Sequence, residues 1–257
     1  MDELTKKEIA LIQALYTRHG RKKYPYCIVE GVRSCSEFFD RVPEMALFTV
    51  ADSAETAQNV KACGDIRIVP ESVFNKISGT MNSQGILVVS KIPAEVGKDE
   101  LNKDDFILAL DKVGDPGNFG TVCRTAKAAG LTEIWYTKGS VDPFSDKVIR
   151  SAMTAQFLLK MRVFETLADL RDEAVRQGFK NICLTKPGRG RSCFTAEGIF
   201  DKSVVVIGSE GHGVSELDNS IDVQIPMPGN FESLNAAQAA TILIFEYVRR
   251  KESNLKL

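Results

Sequence analysis

Apolar residues at helical spacing over 4–15 place Leu4, Ile9, Leu11, Ile12 and Leu15 roughly on one face, which predicts an amphipathic helix. A short strand, YCIVEG at 26–31, follows, then a helix near 34–39 and apolar runs at 46–50, 66–69 and 86–89. Strands alternate with helices, so the front of the chain reads as a small α/β domain. From residue 106 the alternation is cleaner. Strands are predicted at 106–113, 133–137, 181–185, 203–208 and 222–226, and helices at 119–129, 146–154, 167–177 and 234–250. Continuous Val/Ile/Leu runs between amphipathic helices indicate a parallel sheet covered on both faces. Ligands of such sheets sit beyond the carboxyl ends of the strands, which directs attention to the loops there.

Between the two patterns lies KIPAEVGKDELNKDD, 91–105, with eight charged residues in fifteen and no apolar periodicity. It divides the chain into a front domain over 1–95, a linker over 96–105 and a rear domain over 106–257. Composition changes this picture little. The 257 residues carry 33 Lys plus Arg against 34 Asp plus Glu, a formal net charge of −1, and 44 % are hydrophobic. That balance is globular, and it excludes a protein that grips nucleic acid by bulk charge. The charged start and the absence of a long apolar run predict neither a leader nor a membrane span, and hence a cytoplasmic protein. Six cysteines without a C-x-x-C pair predict reduced thiols and no metal.

Three loops after strands are richer in Gly, Pro and polar residues than plain turns require. The first, LDKVGDPGNFGTVCRTAKAAG at 110–130, has Gly114, Gly117 and Gly120, with Asn118 placed to cap the next helix and Arg124 inside it. The second, VVVIGSEGHGVSEL at 204–217, ends a strand in Gly208 and centres on Glu210. Its glycine order is the reverse of the dinucleotide fingerprint, and no phosphate-loop or hydrolase-elbow motif is present. The third, VQIPMPGNFESLNAAQAA at 223–240, opens the final helix with Ser233, a natural N-cap, and Asn235.

In order and spacing, D-P-x-N-x-G with an Arg six residues after the Asn, G-S-E-G-x-G, and I-P-M followed by S-L-N resemble the three motifs of the SpoU/TrmH family of RNA ribose 2′-O-methyltransferases, in the SPOUT superfamily. RHGRKKYPYCIVEGVR likewise resembles the family's substrate-binding module. The resemblance implies a carboxyl-terminal parallel-sheet domain with a trefoil knot, bound S-adenosylmethionine, and a homodimer with each active site near the subunit interface. It implies that Arg124 acts at the target hydroxyl. A guanidinium stays protonated, so an electrostatic role suits it better than that of a base. Asn118 and Glu210 would hold Arg124 and the ribose, and Ser233 and Asn235 would complete the site. The cofactor would lie against Thr185, Gly208, Ile225, Met227 and Leu234, with glycine at 208 because a side chain would take the cofactor's space. Thr154 departs from the family, standing where Gly is frequent.

For RNA, the cluster Arg18, Arg21, Lys22 and Lys23 beside Tyr24 and Tyr26 suggests phosphate contact, with KPGRGR at 186–191 as a second basic stretch. Ribosomal RNA is the expected substrate, with transfer RNA as the alternative. Two rivals stay open: an RNA-binding protein that keeps the fold without the reaction, and a nicotinamide-dependent oxidoreductase suggested only by the glycine-rich loops.

Overall fold

The computed structural model describes residues 4–97, 100–229 and 232–255. The chain groups into two compact units, one of residues up to Ala94 together with Asp142–Phe157, the other of Glu95–Val141 and Leu158–Leu257.

The first unit runs α1 (Lys6–Leu15), α2 (Arg18–Lys23), β1 (Tyr26–Glu30), α3 (Val32–Arg41), β2 (Ala46–Ala51), α4 (Ala54–Asn59), β3 (Ile66–Ile68), α5 (Glu71–Ile77) and β4 (Ile86–Lys91). The sheet order is β1-β4-β2-β3, with β4 antiparallel to both neighbours. Thr5 and Glu8 start α1 with a reciprocal capping box. Ile12 and Leu15 of α1 and Phe74 and Ile77 of α5 pack on Ile28, Val50, Leu87 and Val89 of the sheet. The helices α2, α4 and α5 were not expected from sequence. Each has six or seven residues, too short for an apolar stripe to repeat.

Arg21 departs from its expected role in phosphate contact. It is 9 % exposed, its Nε donates to Asp142 at 2.7 Å, and its Nη1 donates to the Leu15 carbonyl at 2.7 Å. These two bonds and its burial turn Arg21 inward, whereas Arg18, Lys22 and Lys23 are exposed.

The second unit begins with β5 (Phe106–Asp111), α6 (Pro116–Ala128) and β6 (Glu133–Thr137). The next helix, α7 (Asp146–Ala152), lies in the stretch 142–157 that sequence assigned to the rear domain; it packs against β1, and Phe157 meets Phe38 edge-on at 5.5 Å. Met153 and Thr154 end it at φ 51° and 63°. A left-handed β-branched residue costs about 1–2 kcal/mol, which is why glycine suits position 154.

The second unit continues with β7 (Lys160–Phe164), α8 (Leu167–Arg176), β8 (Asn181–Thr185), β9 (Arg191–Ser192), β10 (Ser203–Gly208), β11 (Ile221–Gln224) and α9 (Ala236–Leu255). Its seven strands are all parallel, in the order β7-β6-β5-β10-β8-β11-β9. The central strands β5 and β10 are buried along their whole length, as their unbroken apolar runs require. Trp135, Leu170, Leu184 and Val206 share one core cluster, while α9 packs on α6 and stacks Tyr247 on Phe106 at 4.7 Å. This order brings the ends of β5, β8, β10 and β11 together. No helix among the described residues is long and apolar enough to cross a membrane.

Candidate active site

The three polar loops leave the ends of β5, β10 and β11, and three side chains join them. Asn118 Nδ2 donates to Glu210 Oε1, and Asn235 Nδ2 donates to both Glu210 Oε1 at 3.0 Å and Asn118 Oδ1 at 2.9 Å. Asn235 is oriented by its other end, where Oδ1 accepts the Ala237 N–H at 2.9 Å and the Gln238 N–H at 3.3 Å. It is therefore the residue that caps α9, and the expectation that Ser233 does so is corrected. Ser233 is exposed and makes no hydrogen bond among the described residues. The cap expected of Asn118 is likewise made by Asp115, whose extended backbone (φ −77°, ψ 122°) lets Oδ1 accept the Asn118 N–H at 2.7 Å. The helix starts two residues earlier than Asn118, which leaves the Asn118 side chain for the cluster. With Oε1 of Glu210 taken by two amides, Oε2 accepts nothing among the described residues.

Arg124 does not join this cluster. It lies six residues along α6 from Asn118, roughly 240° around the helix, on an exposed face with Gly117, Thr121 and Ala128. No hydrogen bond or ion pair holds it among the described residues. The expectation that Asn118 and Glu210 hold it within the chain is thus not met, because helical geometry turns it away.

Beside the cluster is a cavity of about 210 Å³, whose lining includes all five residues expected to hold the cofactor: Thr185, Gly208, Ile225, Met227 and Leu234. Glu210 and Ser233 also reach it. The walls combine strand-end backbone with Pro187, Ala236 and Ala239, the mix of apolar surface and few polar groups that suits an adenosine with an amino-acid tail. The reason for glycine at 208 is different from the one expected. A Cβ there would lie 2.1 Å from the backbone carbonyl of Gly213, so the close return of the chain itself excludes a side chain. Gly213 N–H donates to the Ser209 carbonyl at 2.8 Å, closing that loop.

One residue that holds this loop escaped sequence reasoning. Asp111, 1 % exposed at the end of β5 and in register with Gly208, accepts the Ser215 N–H at 2.8 Å on one oxygen and the Thr137 hydroxyl at 2.7 Å on the other. An acid closing the run FILAL was the available signal. The second basic stretch is more self-contained than expected. Lys186 pairs with Glu216 at 2.8 Å, and that hydrogen bond and charge hold the Glu216 carboxyl below its usual range. Arg189 pairs with Asp222 at 2.8 Å, and Arg191 donates to the Glu197 carbonyl at 3.0 Å.

Comparison with known proteins agrees in both units. The SpoU rRNA Methylase family model matches residues 105–245, and the MRM3-like substrate binding domain matches 6–88. The chain is 28 % identical over 236 residues to the 23S rRNA (guanosine(2553)-2′-O)-methyltransferase RlmP of Bacillus subtilis, covering 90 % of this chain and 92 % of that one. A TrmH-family structure from Porphyromonas gingivalis superposes with a TM-score of 0.83 at 29 % identity, over 97 % of this chain and all of that one. An AdoMet-bound rRNA methyltransferase from Sinorhizobium meliloti gives 0.80 at 26 %, over 97 % of each chain. With a family model matching more than half its length, this chain belongs to the SpoU rRNA methylase family.

Proposed function

We propose that this protein methylates a ribose 2′-hydroxyl of ribosomal RNA, using S-adenosylmethionine, as a cytoplasmic homodimer whose second unit is knotted. The observation that carries the reading is the Asn118–Glu210–Asn235 cluster at the mouth of the cavity lined by Thr185, Gly208, Ile225, Met227 and Leu234. The names of the relatives support ribosomal RNA over transfer RNA.

When bound, S-adenosylmethionine supplies a methyl group on a sulfonium. Thr185, Gly208, Ile225, Met227 and Leu234 would hold it, while Ser233 and Asn235 border the substrate side. Transfer requires the ribose oxygen to be aligned and its developing negative charge to be stabilised. Glu210 keeps one oxygen open to accept a hydrogen bond from the hydroxyl, and Asn118 and Asn235 fix its direction. Arg124 stabilises the forming alkoxide and orients the neighbouring phosphate. It remains a cation throughout, and the proton leaves to phosphate, water or Glu210.

Because Arg124 faces away from its own chain's cluster, it serves the site of the second subunit. The exposed row Gln238, Phe245 and Arg249 on α9, with Phe245 47 % exposed, supports a partner covering this side of the α6–α9 pair. RNA enters through the exposed Arg18, Lys22 and Lys23 of the first unit.

Incubation with methyl-labelled S-adenosylmethionine and total RNA from cells lacking the protein, followed by separation of ribosomal from transfer RNA, tests the proposal. Label recovered as a single 2′-O-methylnucleoside is the expected result. Label on a base, or in transfer RNA alone, overturns it.

A further inference from the structure

The first unit also ends a strand with a buried acid. Glu30, the last residue of β1, is 2 % exposed, yet its carboxylate accepts from four donors. Tyr16 Oη lies at 2.7 Å, Thr80 Oγ1 at 3.0 Å and the Gly79 N–H at 3.2 Å, with the Ser78 hydroxyl as the fourth. Burial of the Tyr16 phenol, and then the charge of Glu30 beside it, push that phenol well above its ordinary range, so it stays a donor. A Cβ on Gly79 would meet the Tyr16 ring at 2.2 Å, which shows how closely this turn is seated. At the far end of the loop, Gln84 Oε1 accepts the Val32 N–H at 2.8 Å, and Ser83 Oγ accepts the Gly85 N–H at 3.1 Å.

Glu30 and Gln84 thus gather three segments at one end of the sheet: the α1–α2 junction, the first turn of α3 and the loop 78–84. The core does not account for what this loop displays. Met81 is fully exposed at its tip beside exposed Asn82. Arg33, next to the clamped Val32, and Arg18, two residues after Tyr16, are exposed and have no partner among the described residues. Residues 76–84 contain no acid. A rigid, uncharged loop with a soft apolar tip and amide and hydroxyl side chains, flanked by unpaired arginines, suits RNA with an unstacked base. Binding residues are disproportionately carried on surface loops that a rigid scaffold positions.

We propose that this surface contacts the substrate RNA, with Met81 covering an unstacked base, Asn82 and Ser83 meeting its edge, and Arg33 and Arg18 taking adjacent phosphates. The inference rests on the methyltransferase reading above and names the part of the first unit that selects the RNA. Glu30 acts as a positioning residue.

Arg33→Glu and Met81→Ala, both at exposed positions, test it with ribosomal RNA from cells lacking the protein as the probe. Arg33→Glu is expected to raise KM for this RNA about tenfold and to lower the salt slope of binding by about one contact. Met81→Ala raises KM about threefold to tenfold. The turnover at saturating RNA and the calorimetric affinity for S-adenosylmethionine stay at wild-type values. If both variants methylate with KM within about twofold of wild type, the surface is not an RNA contact and the methyltransferase reading stands. If wild type transfers no methyl group, that reading fails, and filter binding of the same RNA decides this one: weaker retention by the variants supports it, equal retention overturns it. Capture of a ribosomal protein lost in the variants, with RNA retention unchanged, also overturns it.

Discussion

Asp111 and Glu30 are the same device used in two places. Each is the last residue of a strand, each is almost wholly buried, and each carboxylate ties a loop to the sheet: Asp111 accepts the Ser215 N–H together with the hydroxyl of the strand residue Thr137, and Glu30 accepts from Tyr16 and from the loop at 78–80. Burying an acid is costly unless its oxygens are satisfied, so in both units the acid works as a fixed anchor. The difference lies in what is anchored. Asp111 holds the loop that carries Glu210 against the cavity, where a shift of an ångström disrupts chemistry. Glu30 holds a loop of small polar side chains and one methionine, whose displacement would weaken binding by degrees. In each unit an unpaired arginine stands apart from the anchor, Arg124 in one and Arg33 in the other. The acids are spent on the scaffold, whereas neither cation has a partner among the described residues.

The largest effect should come from the unpaired arginine of the second unit. Arg124→Ala is expected to lower kcat by about 10²–10³-fold, the usual loss when one group stabilising an oxyanion is removed. Cofactor affinity measured by calorimetry should hold. Co-expression then sharpens the comparison. A mixed dimer of Arg124→Ala and Asn118→Ala chains contains one intact site if Arg124 crosses to the partner, and none if it serves its own chain. Recovery of activity approaching half that of wild type is expected. A dead mixed dimer would return Arg124 to its own subunit.

Breaking the anchor comes next. In Asp111→Ala the Ser215 N–H and the Thr137 hydroxyl lose their acceptor, at about 1–3 kcal/mol each. The loop should detach, and affinity for S-adenosylmethionine should fall about tenfold or more. Asp111→Asn keeps one oxygen for the Ser215 N–H and turns its amide toward the Thr137 oxygen, so it should recover part of the loss. Wild-type cofactor binding in Asp111→Ala would mean that the loop is held by its other bonds, from Gly213 to Ser209, from Lys112 to Ser215 and from Lys186 to Val214.

Much of this architecture was legible in the sequence, for identifiable reasons. The strands at 133–137, 181–185 and 203–208 were located to the residue because these largely buried strands must be apolar runs bounded by polar turns. The edge strand β7 was missed, since Lys160 is exposed to solvent and the buried Arg162 is held by Glu133, 29 residues away, so two charged residues interrupt its apolar pattern. The motif residues were legible as types, and the cavity gathers the five expected to hold the cofactor. Their local roles were not. Asp115 and Asn235 cap α6 and α9 where Asn118 and Ser233 were expected, because a cap depends on the backbone angles of one residue, and several neighbouring residues are chemically eligible. Asp111 looked like a strand terminus until Ser215 and Thr137, distant in sequence, came to it. Arg21 was grouped with its basic neighbours because nothing near it in sequence announces Asp142, 121 residues away.

The smallest effect on the reaction, and the clearest separation of scaffold from contact, should come from Arg21 and Lys22. These adjacent basic residues have opposite surroundings. Arg21→Ala leaves Asp142 with its partner removed and the Leu15 carbonyl without its donor. Asp142 keeps a side-chain exposure of 21 %, so solvent recovers part of the loss, and about 2–3 kcal/mol of stability should go. Lys22→Ala should change stability by no more than about 0.5 kcal/mol, as exposed substitutions usually do. RNA affinity should divide the other way. Measured well below its melting midpoint, Arg21→Ala should bind ribosomal RNA as wild type does, and Lys22→Ala should lose about one phosphate contact from the salt slope. Thermal denaturation and filter binding on the two variants decide the matter. If Arg21→Ala melts like wild type but binds RNA weakly, Arg21 leaves Asp142 to meet a phosphate, and the line between scaffold and contact drawn through this unit is in the wrong place.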